Sequence, residues 1–181
     1  MMMGRLPTRN RQSFPRLASS LQYARVTSVS AGYAHSIAVT DQGRAFASGQ
    51  NDRGQARQKH AGGGEGTPIH SGKFREVVGM ANCFILEVAC GEQHNLARVL
   101  LSKKASSNEQ AELYVWGGGR LGQLGLGAPS TRLAPTHNQP LSGVGGGVVS
   151  VSAGANHSVC VVASGLVFGW GHAEYNQQGV A

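Results

Sequence analysis

Long apolar runs are missing from this 181-residue sequence. Nothing reaches the ~18 consecutive apolar residues of a helical membrane span, so none is predicted. The N-terminus also lacks the continuous apolar core of a secretory signal. Acid is scarce: 9 Asp and Glu stand against 16 Lys and Arg, and charged residues make up only 14% of the chain. Aromatic residues contribute 6%. There are 3 cysteines, Cys83, Cys90 and Cys160, an odd number with no paired spacing. A disulfide framework is therefore not expected, and a reducing, intracellular compartment is. Cys90 and Cys160 fall in or beside strand-like runs, where a thiol serves as a small core hydrophobe.

Familiar reaction chemistry is lacking too. The sequence contains no P-loop, no Gly-x-Ser-x-Gly and no His-Glu-x-x-His. Cys83 and Cys90 have no second close pair to complete a zinc site, so neither metal nor cofactor is expected. Gly117-Gly-Gly119-Arg-Leu-Gly122 fits the spacing of a dinucleotide fingerprint after a strand-like run. That fingerprint also needs a helix and a later acid. Gln123-Leu-Gly-Leu-Gly127 is a poor helix, and no acidic residue occurs between Glu112 and Glu174, so a repeat turn is the better reading. Asp52, Glu92 and Glu174 read as solvated loop groups rather than catalytic pairs.

Glycine, in contrast, is abundant, with 27 residues, which argues against a helical bundle. One pattern occurs three times: Val29-Ser-Ala-Gly32-Tyr-Ala-His35-Ser36, Val88-Ala-Cys-Gly91-Glu-Gln-His94-Asn95 and Val151-Ser-Ala-Gly154-Ala-Asn-His157-Ser158. Each is followed by an alternating run, a turn, another alternating run and a Gly-rich segment. Those segments begin at Ser48, Trp116 and Trp170. A repeat on this scale signals a repeat architecture. Alternation bounded by Gly-containing turns is the hairpin signal, and two hairpins per repeat is the content of one four-stranded propeller blade. The second copy has extra polar residues within Leu101–Ala111, which read as an insertion at a hairpin tip.

Charge is unevenly placed. Residues 1–60 hold nine Lys or Arg and two Asp, a net of +7, whereas residues 61–181 hold seven of each sign. The leader carries Arg5, Arg9, Arg11 and Arg16 with no acid, together with Pro7 and Pro15. Residues 1–24 read as a basic flexible tail. Three roles stay open for it: a solvated disordered extension, a mitochondrial targeting segment, or an arm making weak, salt-sensitive contact with nucleic-acid phosphate or an acidic protein face.

The repeated segments resemble the repeats of the RCC1 (regulator of chromosome condensation) family. The match is strongest in Val148–Ser158 with Val167-Phe-Gly-Trp-Gly171, and in Leu113-Tyr-Val-Trp-Gly-Gly-Gly-Arg-Leu-Gly-Gln-Leu-Gly-Leu-Gly127. Copy one is weaker, because Ser48 stands where the others have Trp. The resemblance spans residues 25–181 and implies an all-β fold, a partial RCC1-like β-propeller of about three blades. The expected repeats are approximately 26–83, 84–147 and 148–181, the last incomplete. The family builds a seven-bladed ring, so three repeats are expected to be a truncated product or fragment, in preference to copies assembling into a ring.

The repeat frame is expected to rest on Gly32, His35, Gly91, His94, Gly154 and His157, with Trp116, Gly117, Gly122, Trp170 and Gly171. A Gly before each His permits a backbone conformation or a close blade contact that a Cβ would block. A recurring buried His that hydrogen-bonds within the fold is structural. Function is then expected on variable rim loops, with Tyr33, Arg53, Glu92, Arg120 and Tyr175 as candidate partner-binding residues. The resemblance implies a protein partner, with small-GTPase regulation as the specific version. Guanine-nucleotide exchange on a Ran-like GTPase, chromatin association, a ligase-linked module and a non-functional fragment are the alternatives. Exchange-competent relatives are expected to carry an acid beside one repeat His, and the corresponding positions here are Ala34, Gln93 and Asn156.

Overall fold

The computed structural model describes residues 14–56, 71–102 and 109–179. The leader up to residue 13, residues 103–108 of the expected hairpin-tip insertion and the last two residues lie outside the described residues.

Three antiparallel sheets follow one another along the chain. The first contains β1 (Val26–Ala31), β2 (His35–Thr40), β3 (Ala45–Gly49) and β4 (Ser71–Glu76). The second contains β5 (Phe84–Cys90), β6 (His94–Leu100), β7 (Glu112–Gly117) and β8 (Arg132–His137). The third contains β9 (Val148–Ala153), β10 (His157–Val162) and β11 (Val167–Gly171). Strands pair in chain order within every sheet, so each is a meander. The first strands, β1, β5 and β9, lie side by side, and each sheet stacks on the next like the blades of a propeller.

Local sequence explains the hairpins. Thr40-Asp-Gln-Gly43 closes the turn between β2 and β3 with Gly43 N–H donating to Thr40 O at 2.9 Å. Gly43 sits at φ +68°, a conformation that a side chain disfavours. The β10–β11 turn repeats the arrangement at Gly165, whose N–H reaches Val162 O at 2.8 Å. The two flanks of the polar insertion are paired strands, with Val99 opposite Glu112.

Each innermost pairing also carries the same irregularity. Val26 and Ser28 face Thr40 and Val39, Ile85 and Glu87 face Val99 and Arg98, and Val148 and Ser150 face Val162 and Val161. One extra residue on the inner strand is a β-bulge, which adds twist at an equivalent point of every blade.

The core lies between blades rather than within one. Ile37, Val39, Ala45 and Ala47 of blade 1 meet Val88, Cys90, Ala97, Val99 and Trp116 of blade 2. Leu96, Leu113, Val115 and Leu124 of blade 2 meet Val148, Val151 and Cys160 of blade 3, with Trp170 alongside. Alternate residues of each strand therefore face opposite neighbours, and burial of these apolar faces supplies the main stabilisation.

Part of the segment expected to be tail is placed against blade 1. Ser19–Leu21 forms a single 3-10 turn, Ser20 Oγ accepts from Phe74 N–H of β4 at 3.1 Å, and Arg25 O accepts from Asp41 N–H at 2.9 Å. A similar turn, Gln139–Leu141, precedes blade 3 and buries Leu141.

Candidate functional site: axial histidines and the loop rim

The Gly-x-x-His unit is a tight corner between the two innermost strands. Gly32 N–H donates to His35 O at 2.9 Å, Gly91 to His94 O at 2.8 Å and Gly154 to His157 O at 3.0 Å. The imidazole folds back over its own glycine. A Cβ on Gly91 would strike His94 Cε1 and lie 2.6 Å from Gly154 O of the next blade. Gly32 is confined in the same way by His35 and by the Gly91 carbonyl. The reason for glycine at these positions is steric, since none of the three has a positive φ.

Each imidazole then crosses to the following blade. His35 Nε2 is 2.7 Å from Asn95 Oδ1. Asn95 Nδ2 donates to Gln55 O at 2.9 Å, which leaves its oxygen facing the ring, so Nε2 of His35 carries the proton. His94 Nε2 is 2.9 Å from Ser158 Oγ. The Ser158 hydroxyl donates to Gln123 O at 2.8 Å, so it accepts from His94 Nε2–H. The tryptophans converge on the same carbonyls: Trp116 Nε1–H donates to Gln55 O at 3.1 Å and Trp170 Nε1–H to Gln123 O at 2.9 Å. One Gly-rich-loop carbonyl thus receives two donors from the next blade, while that blade accepts one hydrogen bond from the preceding His.

The Gly-rich loops have a common geometry. Gln55, Gln123 and Gln177 each turn the side-chain oxygen back to the backbone N–H two residues earlier, at Arg53, Leu121 and Tyr175, over 2.8, 2.8 and 2.9 Å. Gly117 and Gly171 both have positive φ, at +99° and +105°, and each passes against the carbonyl before the repeat His. Gly122 ends a turn closed by its N–H to Gly119 O at 3.1 Å. No α-helix follows the Gly117–Gly122 fingerprint among the described residues, and the next element is the strand β8.

Burial sets the electrostatics. The His94 pKa is pushed down to about 4, chiefly by desolvation and further by neighbouring His35 and His157. His35 is lowered by burial, against the opposing effect of the Asn95 hydrogen bond. Both rings are therefore neutral at pH 7, with Nε2 protonated. Their Nδ1 atoms are buried and lie over glycine, where a second proton would find no acceptor. Among the described residues, no cluster of His, Cys, Asp or Glu could hold a metal ion.

The five candidate rim residues stand on loops at one end of the sheets. Tyr33 and Glu92 lie in the corners that follow β1 and β5, and Arg53, Arg120 and Tyr175 in the Gly-rich loops that follow β3, β7 and β11. In a meander these connections share one end, and the turns after β2, β6 and β10 share the other. Tyr33 is 79% exposed and Tyr175 81%, Arg120 is exposed, and Arg53 and Glu92 are half-buried. At the axis, this end opens into a depression of about 340 Å³ lined by the three glycine corners with Tyr33 and Glu92. Glu92 is held there by Asn156 Nδ2, which donates to its carboxylate at 3.4 Å.

Sequence reasoning did not single out Asn95, Ser158, Gln55 or Gln123. The signal was present in the polar residue that follows each repeat His and in the Gln of each Gly-rich loop. What it did not reveal was that these positions meet across a blade boundary.

Sheets stacked about an axis, with a polar lock at every boundary, define a β-propeller repeat protein. Two models described as the regulator of chromosome condensation (RCC1) repeat match the chain, one over residues 110–161 and one over 26–55 and 148–177. The chain belongs to the RCC1 repeat family. It is 32% identical over 160 residues to the human RCC1-like G exchanging factor-like protein, covering 86% of this chain and 31% of that one. It is 33% identical over 162 residues to the human probable E3 ubiquitin-protein ligase HERC6, covering 89% of this chain and 14% of the relative. Among solved structures, human WBSCR16 matches with a TM-score of 0.63 and 32% identity over 84% of this chain and 35% of the other. Prp20p of Saccharomyces cerevisiae, described with its binding to Gsp1p and histones, matches in fold with a TM-score of 0.65 and 24% identity over 87% of this chain and 35% of that one. The chain thus spans about a third or less of these relatives.

Proposed function

We propose that this chain is a protein-binding propeller module whose contact surface is the rim bearing Tyr33, Arg53, Glu92, Arg120 and Tyr175, and that its partner is a small GTPase. The observation that carries this reading is the shared end of these loops: Tyr33 and Glu92 line the axial depression, and the exposed Arg120 and Tyr175 stand on Gly-rich loops at the same end of the sheets. Tyrosine and arginine are the residues that most often anchor protein interfaces. The similarity to a G exchanging factor-like protein and the fold shared with a Gsp1p-binding protein support the GTPase version. The module would act by binding a GTPase conformation in preference to others, with no covalent step of its own.

Exchange on a Ran-like GTPase is the finer form of this reading. Gln93 and Asn156 beside the repeat His residues are not acidic, but Glu92 is fixed at the same rim by Asn156. The excess positive charge of residues 1–60 supports a second, salt-sensitive contact with acidic surfaces.

The test is to mix the purified chain with immobilised small GTPases in nucleotide-free, GDP-bound and GTP-bound forms, and to follow release of labelled GDP in parallel. Preferential capture of one form, weakened by Tyr33→Ala and Tyr175→Ala, supports the rim. Accelerated GDP release supports exchange. Capture unaffected by either substitution would remove the rim from the proposal, and absence of capture would remove the GTPase.

A further inference from the structure

The axial depression carries charge of one sign. Among the described residues that line it, Glu92 bears the one charged side chain, and no Lys, Arg or His contributes. The carboxylate is held in place from blade 3. Asn156 Nδ2 donates to one of its oxygens at 3.4 Å, and the Glu92 N–H is fixed to Ala155 O at 3.0 Å. Among the described residues its other oxygen has no hydrogen-bond partner and no cation is paired with it.

The floor of the depression is short of donors as well. Gly91 O and Gly154 O each press on the glycine of the preceding blade, at 2.4 and 2.6 Å from where a Cβ on Gly32 and Gly91 would be. Among the described residues neither carbonyl accepts an N–H. The repeat histidines add to this polarity. His35 and His94 give their Nε2–H to Asn95 and Ser158 across the blade boundaries. Their unpaired Nδ1 atoms, the negative ends of the neutral rings, lie against Gly32 and Gly91. A carboxylate, two open carbonyls and two ring dipoles thus favour positive charge at one place.

We infer that the depression receives one lysine side chain of the bound partner, an inference that rests on the rim reading above. An ammonium has three donors to offer, and the acceptors here are the Glu92 carboxylate and the two glycine carbonyls. The methyl groups of Ala31, Ala153 and Ala155 line the same hollow and suit the methylene stem of lysine. Tyr33, 79% exposed at the lip, offers an aromatic face to the cation as it enters. The volume of about 340 Å³ is at the small end of ligand-sized pockets (~300–1,000 Å³), which fits a single side chain.

The test is a titration of the full chain with Nα-acetyl-lysine amide, followed by the backbone amide NMR signals of Gly91, Glu92 and Ala155. Saturable shifts with a dissociation constant on the order of millimolar are expected, weakening as salt is added. Nα-acetyl-norleucine amide has the stem without the ammonium and should leave these signals in place. Glu92→Gln keeps the shape and an acceptor for Asn156, so it should preserve the melting temperature yet weaken lysine amide by about tenfold or more. Absence of saturable shifts overturns the inference. So do shifts that norleucine amide reproduces or that survive Glu92→Gln, and so does tighter binding of Nα-acetyl-arginine amide. The GTPase capture assay separates this inference from the rim reading. Capture weakened by Tyr33→Ala and Tyr175→Ala but indifferent to Glu92→Gln overturns the lysine and keeps the rim. Specific binding of lysine amide without capture of any GTPase keeps the lysine site and removes the GTPase.

Discussion

His35 and Asn95 are 60 positions apart in the chain and 2.7 Å apart across a blade boundary, the imidazole donating to the side-chain amide. By the same scheme His94 donates to Ser158, 64 positions further along the chain. A neutral histidine therefore ties each blade to the next at the axis, while the Gly-rich loop carbonyl ties them further out.

The glycine beneath each ring makes this possible and gives the first prediction. Gly91→Ala would force the new methyl into the His94 ring and within 2.6 Å of the Gly154 carbonyl. Neither neighbour can yield without breaking a boundary. The substitution is expected to cost about 3 kcal/mol or more, read from urea unfolding. Gly127→Ala is a useful control for handling: nothing lies within 4 Å of its added carbon, although its φ of +82° still penalises a side chain by about 1 kcal/mol.

The depressed histidine pKa values make stability depend on pH in a defined window. An unfolded His binds its proton near pH 6.5, whereas native His94 does so only near pH 4. Between these values the unfolded chain holds more protons than the native one, so stability falls as pH is lowered from 6.5 towards 4. The contribution of His94 is up to about 3 kcal/mol over that range, and His35 adds in the same direction. Melting temperatures measured from pH 7.5 to 4.5 should drop accordingly. His94→Gln keeps an N–H donor without a titrating ring, so it should lower stability at pH 7.5 but flatten the slope. An unchanged slope would mean that His94 is not the group responsible.

The strands were legible because their cues are local. His35–Thr40 alternates and ends at a Gly turn, so the hairpin could be read without any distant contact. The repeated Gly-x-x-His also marked an equivalent corner in each copy. Asn95 and Gln55 were not legible as a pair, because their meeting depends on how one sheet is laid on the next, which no local pattern encodes. Gly32 shows the same limit. Its sequence context allowed either a left-handed backbone or a close approach, and only the neighbouring Gly91 carbonyl decides for the approach.

Cys90 and Cys160 should be slow to react. They are 8% and 1% exposed, and burial pushes both thiols up to about 11. At pH 8 only about one molecule in a thousand is a thiolate at either site, and the sulfur is also shielded. Alkylation of the native protein, followed by peptide mapping, should leave both unmodified over minutes, and denaturant should expose both. Rapid native labelling of Cys90 would show that the boundary between blades 1 and 2 opens readily, since Cys90 belongs to that core.

The two tryptophans should report separately on the two boundaries. Trp116 is fully buried and donates to Gln55 O, whereas Trp170 is half-buried and donates to Gln123 O. Trp116→Phe removes a buried hydrogen bond and leaves a cavity, with Asn95 Nδ2 as the remaining donor to the Gln55 carbonyl, at a cost of about 2–3 kcal/mol. Trp170→Phe breaks an equivalent bond, but water can reach that site and compensate, so its cost should be about half as large. In fluorescence, the Trp170→Phe protein, which retains Trp116, should emit further to the blue and resist acrylamide. The Trp116→Phe protein should emit to the red and be readily quenched. The opposite order would place the better-sealed boundary between blades 2 and 3.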